Sequence, residues 1–178
     1  RQPLWPGMLH QPGLRTADVF VYASTTDQRA VHAARRALAR VPRVLHVFVT
    51  ENPGYQEGAI QAVHDARVAP MVRWDAYDWV LRLNPDVRIV NISRLLALMR
   101  KPELEAICVK CDLPRLHLMT DFTLLRPRHF LRMLLSKKLE ANADSERDLV
   151  NQLKLLNVTG KRRAILPNFN IPGPCRVI

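Results

Sequence analysis

A chain of 178 residues with 48% hydrophobic and 24% charged content is long enough for one domain with a sizeable core and too short for two ordinary ones. Its 27 Lys and Arg against 16 Asp and Glu leave a formal charge of +11, which points to a negatively charged substrate or partner: nucleotide phosphates, nucleic acid or an acidic surface. No apolar run is long enough to span a membrane, and no charged segment followed by an apolar one reads as a signal peptide.

The elements follow in order. Residues 1–16 carry Pro3, Pro6, Gly7, Pro12 and Gly13 and are expected to form an irregular amino-terminal arm; residues 17–178 are expected to form one α/β domain. Asp18-Val19-Phe20-Val21-Tyr22-Ala23 is the first strand signal. Thr26 or Asp27 is placed to cap a helix with Val31, Ala34, Leu38 and Val41 on one face, ending before Pro42. Its Arg35, Arg36 and Arg40 read equally as a solvated face. A second strand covers Val44 to Thr50, and Glu51-Asn52-Pro53-Gly54-Tyr55 is a turn by composition. Helical spacing returns from Gly58 to Val68 with Ile60, Val63 and His64 on one side.

The next strand signal, Asp78 to Leu83, holds Trp79, Val80, Leu81 and Leu83, the near-continuous apolar run of a strand covered on both faces. Pro85 stops its ladder and sets a turn. That leaves Asp86 at the carboxyl edge of the strand, where ligands bind in open α/β sheets. Asn84-Pro85-Asp86 also suits a turn for purely local reasons.

Ser93 is expected to cap a helix carrying Leu95, Leu96 and Met99, closed by Arg100, Lys101 and Pro102. Strands follow at Ala106 to Lys110 and Leu118 to Leu125, the second containing Thr120 and Asp121. Pro127 opens a helix through Leu135, whose Arg126, Arg128 and Arg132 could face a diphosphate or solvent. Asp144 or Ser145 caps a helix with Leu149, Val150, Leu153 and Leu156 on its apolar face, and Ala164-Ile165-Leu166 is a last short strand. The alternation predicts an α/β sandwich with a mostly parallel central sheet flanked by helices.

Other constellations exclude more than they assign. No GxxxxGK[ST], GxGxxG or GxSxG occurs, which disfavours P-loop NTPases, a standard dinucleotide fold and α/β-hydrolases. The six histidines form no HExxH and read as surface or satisfied core residues. Three cysteines do not make a disulfide scaffold. Cys108-Val109-Lys110-Cys111 has CxxC spacing without a second pair or a His cluster to complete a zinc site, so these are strand residues, or one of them bridges to Cys175. Asn91-Ile92-Ser93 and Asn157-Val158-Thr159 are glycosylation triplets if the chain is secretory.

Taken in order, four segments resemble the GT-A-type nucleotide-sugar glycosyltransferases: Asp18-Val19-Phe20-Val21; Tyr77 to Val87, with Asn84-Pro85-Asp86 as a DxD-like turn; Thr120-Asp121-Phe122 with Arg126-Pro127; and Ser145-Glu146 followed by Leu149 and Leu153. The resemblance implies a GT-A/Rossmann-like sandwich that transfers a sugar from a nucleotide-sugar donor to a hydroxyl of a glycan or protein acceptor. Asp86 would ligate Mn2+ or Mg2+, Asn84 and Arg82 would contact the donor, and Asp121 and Glu146 would serve catalysis. Hard carboxylate oxygens suit such ions, which neutralise the charge of a departing nucleoside diphosphate. Asn84 supplies only a neutral carbonyl where an acid is usual, which weakens the metal site.

Glu146 and Asp121 also suit a helix start and a strand start. Two departures imply a domain incomplete at both ends: residues 1–16 lack the strand and Gly-containing turn expected before Asp18, and the chain stops at Cys175-Arg176-Val177-Ile178, short of the His that completes the metal site in related sequences. The opening Arg1 likewise implies residues upstream. On this reading the protein belongs in the Golgi or secretory lumen. The rival expectation is a noncatalytic basic subunit of a large assembly, such as an organellar ribonucleoprotein, in which the charge binds nucleic acid and the compartment is an organelle such as the mitochondrion.

Overall fold

The fold is a mixed α/β arrangement in which a four-stranded sheet carries apolar side chains on both faces. The computed structural model describes residues 14–24, 27–39, 43–50, 72–84, 87–89, 91–110, 118–136, 150–151, 153–166, 169–170 and 176–177. The predicted helix at 58–68, the turn at 51–55, the cap at Asp144 or Ser145 and the cysteines Cys111 and Cys175 lie outside them.

The first unit is the expected β-α-β. Strands β1 (Val19–Ser24) and β2 (Val44–Thr50) pair in parallel from Val19↔Val44 to Ser24↔Thr50, with helix α1 (Gln28–Leu38) between them in sequence. Asp27 is the cap: its carboxylate accepts from the Arg29 N–H at 2.9 Å, satisfying one of the donors a helix start leaves open. Val31 and Leu38 are buried seven residues apart, the spacing of one helical face. Arg43 holds φ at 63°, a left-handed backbone that residues other than glycine seldom adopt. Two contacts fix it there: its carbonyl accepts from Val19 N–H at 2.9 Å, and its guanidinium ion-pairs with Asp18.

The four-stranded sheet has the order β3 (Val80–Leu83), β6 (Leu118–Leu125), β5 (Ala106–Lys110), β7 (Arg163–Leu166). It is mixed, and the mostly parallel sheet read from the alternation does not hold for it. Strand β6 runs antiparallel to both neighbours, while β5 and β7 are parallel. The reason lies in the chain. Only residues 111–117 join β5 to β6, and a parallel crossover needs a dozen residues or more. Strands β3, β5 and β7 therefore point one way, and β6 alone is reversed.

Alternation along these strands builds two cores. On one face Leu81, Leu83, Ile107, Val109, Phe122 and Leu124 meet Leu95, Leu98 and Met99 of helix α2 (Ile92–Met99). On the other, Val80, Ala106, Cys108 and Leu125 meet Phe130 of helix α3 (Pro127–Ser136) together with Val150, Leu153 and Val158. Ala106 to Val109 are fully buried, so β5 is the strand covered on both faces. The expectation of a doubly buried strand was attached to β3, whose four residues are only half-buried; among the described residues it has one ladder neighbour, β6. Asn91, not Ser93, caps α2, its side chain accepting from Arg94 N–H at 3.0 Å. Ring contacts from Trp74 to Phe20 (6.4 Å) and Phe130 (5.0 Å) join the β1-α1-β2 unit to α3.

A small sheet completes the architecture: β4 (Val87–Arg88) pairs in parallel with β9 (Arg176–Val177), which pairs antiparallel with β8 (Phe169–Asn170). No helix among the described residues is long and apolar enough to cross a membrane.

Candidate functional site

With β3, β5 and β7 aligned, the sheet has a carboxyl edge where three strands end and β6 begins. The chain turns there after β3. The Val87 N–H donates to the Asn84 carbonyl at 3.2 Å, the bond that closes a four-residue turn. Pro85 and Asp86, between Asn84 and Val87 in sequence, lie outside the described residues, as does Glu146. Val87 is fully buried in the core beside β3, and β4 brings Arg176 of β9 into register with it. Nothing local signals this return of the last described strand to the turn, because a two-residue strand has no periodicity to read.

Asp121 reaches the same edge from β6. The β3–β6 ladder ends at Leu83↔Phe122, so Asn84 and Asp121 are the next residues beyond it on the two strands. Backbones paired in this way lie about 5 Å apart. The β5–β6 ladder is broken at the same place: between Cys108↔Thr123 and Lys110↔Leu118, β6 advances five residues while β5 advances two. Residues 119–122 therefore bulge out of register with β5, and Thr120 and Asp121 belong to the bulge. Such irregularities re-aim side chains and terminate pairing. Arg82, paired opposite Thr123, shares the Val80 face of β3 by alternation and is half-buried. Of the sequence-predicted residues, Asn84 and Asp121 are thus neighbours along the backbone, and Arg82 lies two residues before Asn84.

The arginines of α3 are not part of this edge. Arg126 donates to the Asp78 carbonyl and to the Leu104 carbonyl, each at 3.2 Å, and its guanidinium lies 4.1 Å from the Trp79 ring centroid, within cation–π reach. Arg128 pairs with Glu105. Both sit at the amino ends of β3 and β5, about 16 Å from Asn84 if each strand residue advances about 3.3 Å. Of the two expectations for these arginines, a diphosphate or solvent, this placement takes Arg126 and Arg128 away from the turn that begins at Asn84.

Arg128 instead joins an ionic cluster around a buried acid, Glu105, that sequence reasoning missed. Glu105, 9% exposed at its side chain, accepts from Arg128 and from His129 Nε2 at 2.8 Å, with Arg162 at 3.6 Å. Its backbone continues the sheet, donating to the Arg162 carbonyl at 2.8 Å and accepting from Arg126 N–H at 3.0 Å. Burial alone would raise the Glu105 carboxyl, but the hydrogen bonds from Arg128 and His129 outweigh it and hold the group below its usual range. Burial lowers His129, and the attraction of Glu105 only partly offsets it. His129 is therefore neutral at pH 7, with the Nε2–H tautomer assigned from its bond to Glu105. Nδ1 is then a buried acceptor with no partner among the described residues. Protonating it would bury an unpaired N–H, which accords with the lowered affinity for a proton.

A second pair holds the amino end of β1. The Tyr77 hydroxyl donates to Asp18 Oδ2 at 2.6 Å. Asp18 is lowered by that bond and by Arg43 against the opposing effect of burial, and Tyr77 is raised by the same bond. Cys108 is a core residue: it is fully buried and free, and burial pushes its thiol up to about 12. That suits a packed side chain and not a thiolate ligand. Among the described residues no three His, Cys, Asp or Glu side chains group closely enough to hold a metal. The chain matches no protein-family model, no curated protein and no solved structure.

Proposed function

We propose that this domain transfers a sugar from a nucleotide-sugar donor to an acceptor hydroxyl on a GT-A-like scaffold. One observation supports the reading: the turn that begins at Asn84 and the β6 bulge that contains Asp121 start as neighbours, at the edge where β3, β5 and β7 end. That is the position at which open sheets bind ligands. Asn84, Asp86 and Asp121 bring only hard oxygen donors, which fits Mg2+ or Mn2+ sharing its remaining positions with donor phosphates and water. Bound there, such an ion would neutralise charge on the leaving diphosphate. Arg82 adds positive charge toward the donor. Asp121, beside the donor turn in the β6 backbone, would accept the proton of an acceptor hydroxyl, and Glu146 would assist. The Golgi or secretory lumen is the compartment this chemistry favours.

Thermal unfolding tests the reading. UDP- and GDP-sugars with Mn2+ should raise the midpoint, because a ligand at 100 times its Kd stabilises the folded state by about 2.7 kcal/mol. For a domain of this size that is roughly 5–10 °C. Asp86→Asn should abolish the Mn2+-dependent part. If no nucleotide sugar shifts the wild-type midpoint, the reading fails. The second reading, a noncatalytic basic subunit of an organellar assembly, is favoured by the arginines that α1 leaves exposed.

A further inference from the structure

Helix α1 presents a face that its fold does not explain. Arg29, His32, Arg35 and Arg36 are all exposed, while Val31 and Leu38, on the adjoining face, are buried in the core. At 100° per residue the four span an arc about 120° wide. Arg35 and Arg36 lie in the last turn, where the helix dipole favours cations. Arg29 does not share that excuse: it lies in the first turn, where the dipole opposes a positive charge and no acidic residue balances it. The acid at that end is the capping Asp27, whose Oδ1 accepts from the Arg29 backbone.

The patch continues past the helix. In a β-α-β crossover the helix runs back against its strands, so the carboxyl end of α1 lies at the amino ends of β1 and β2. Arg15, in the turn closed by Ala17 N–H to the Leu14 carbonyl, and Arg43, just before β2, belong to that end. Both are exposed. The acid there, Asp18, is only 11% exposed and committed to Arg43 and Tyr77, so the solvent-facing side stays positive.

We propose that this surface, Arg29, Arg35 and Arg36 with Arg15, docks the phosphate backbone of a nucleic acid. The cations are all arginines, whose planar fork pairs with phosphate oxygens. Arg29 and Arg36 are about 10.5 Å apart along the axis at 1.5 Å per residue, so they reach successive phosphates and not one isolated ion. A membrane surface fits less well, since the described exposed positions of α1 offer no large apolar side chain to insert. Binding of this kind ignores sequence and is set by salt. The inference deepens the second reading and is independent of the sugar-transfer site.

The test is fluorescence anisotropy with a labelled 20-nucleotide poly(U) RNA across a salt series. It compares the wild type with an Arg29→Gln, Arg35→Gln, Arg36→Gln triple variant. A control variant, Arg94→Gln, Arg100→Gln, Lys101→Gln, removes the same charge from the exposed positions in and after α2. Losing three single-strand phosphate contacts should reduce the slope of log K against log salt by about 2, with roughly tenfold weaker binding at low salt, while the control keeps the wild-type slope. Far-ultraviolet dichroism confirms that each variant is folded. The proposal is overturned if the α1 variant keeps the wild-type slope or if the control loses as much, which would make bulk charge the cause. It is also overturned if vesicles with 30% phosphatidylserine, or polyglutamate, depend on the same three arginines as strongly as RNA does. Because no nucleotide sugar enters the assay, its outcome and that of the donor titration are separate.

Discussion

Replacing Glu105 by Ala perturbs the most connected charge among the described residues, and its effect can be worked contact by contact. The Arg128 partner is 66% exposed and returns to water when released, so that ion pair contributes no more than about 1 kcal/mol. His129 is different. It is buried, and without Glu105 its Nε2–H has no acceptor, a loss of about 1–3 kcal/mol. Together the change should destabilise the domain by about 1–4 kcal/mol, set against the roughly 5–15 kcal/mol that holds a typical domain.

The pH dependence gives the prediction its sign. In the folded state Glu105 lies below its ordinary 4.5 and His129 below 6.5. The folded protein thus holds fewer protons than the unfolded chain, and stability falls with acidification, first below 6.5 through His129 and then below 4.5 through Glu105. Because the attraction of Glu105 favours the protonated form of His129 and Glu105 itself keeps its charge until the pH falls below its ordinary 4.5, the penalty of Glu105→Ala should be at least as large at pH 5 as at pH 7.5 and shrink only below 4.5. Urea denaturation at pH 7.5, 5 and 3 measures it, with the m-value as a check that both states are unchanged in extent. A penalty under about 0.5 kcal/mol at pH 7.5, or one that shrinks between pH 7.5 and pH 5, would refute the assignment of this cluster.

Tyr77→Phe should remove a charge-assisted bond to Asp18 from a half-buried position and destabilise by about 1–2 kcal/mol in equilibrium denaturation. Because Tyr77 is raised above its ordinary 10.0, the stability from its bond is complete below that pH and is lost as the phenol ionises at its higher folded value; ultraviolet titration of the wild type against Tyr77→Phe should show one phenol titrating late. Phe122 is fully buried between β3 and the α2 side of the core, and Phe122→Ala should cost about 3–5 kcal/mol; a loss below 1 kcal/mol in the same denaturation assay would mean that this face is not packed as described.

Local signals carried most of the elements. The strands at Val44–Thr50, Ala106–Lys110 and Leu118–Leu125 have the bounds their apolar runs and flanking turns indicate, and Asp27 and Pro127 begin helices as their side chains require. Strand direction was misjudged because alternation of strands and helices was weighed above the seven-residue link after Lys110, which is too short for a parallel crossover. Ser93 lost the cap to Asn91, two residues earlier, because both side chains suit the position and only backbone geometry chooses between them. Glu105 was invisible for another reason. Its partners Arg128 and His129 lie 23 and 24 residues away in sequence, and nothing local marks an acid that precedes a buried strand as the anchor of a cluster. At the candidate site, residue types and the turn were legible at Asn84, whereas the closeness of Asp121 depends on a ladder no spacing rule specifies.

The break in register along β6 also bears on how this edge can change. Leu118 is held opposite Lys110 and Thr123 opposite Cys108, so the pairing on either side of the bulge is anchored separately. Of the four residues between these fixed points, Phe122 is held opposite Leu83, so residues 119–121 are spare length, and an alteration there need not shift a side chain of the core to the wrong face, the usual penalty for a slip within a strand. The sheet therefore keeps a stretch with the tolerance of a loop inside one of its strands, beside the turn after β3, where selection could vary what is recognised without renegotiating the fold.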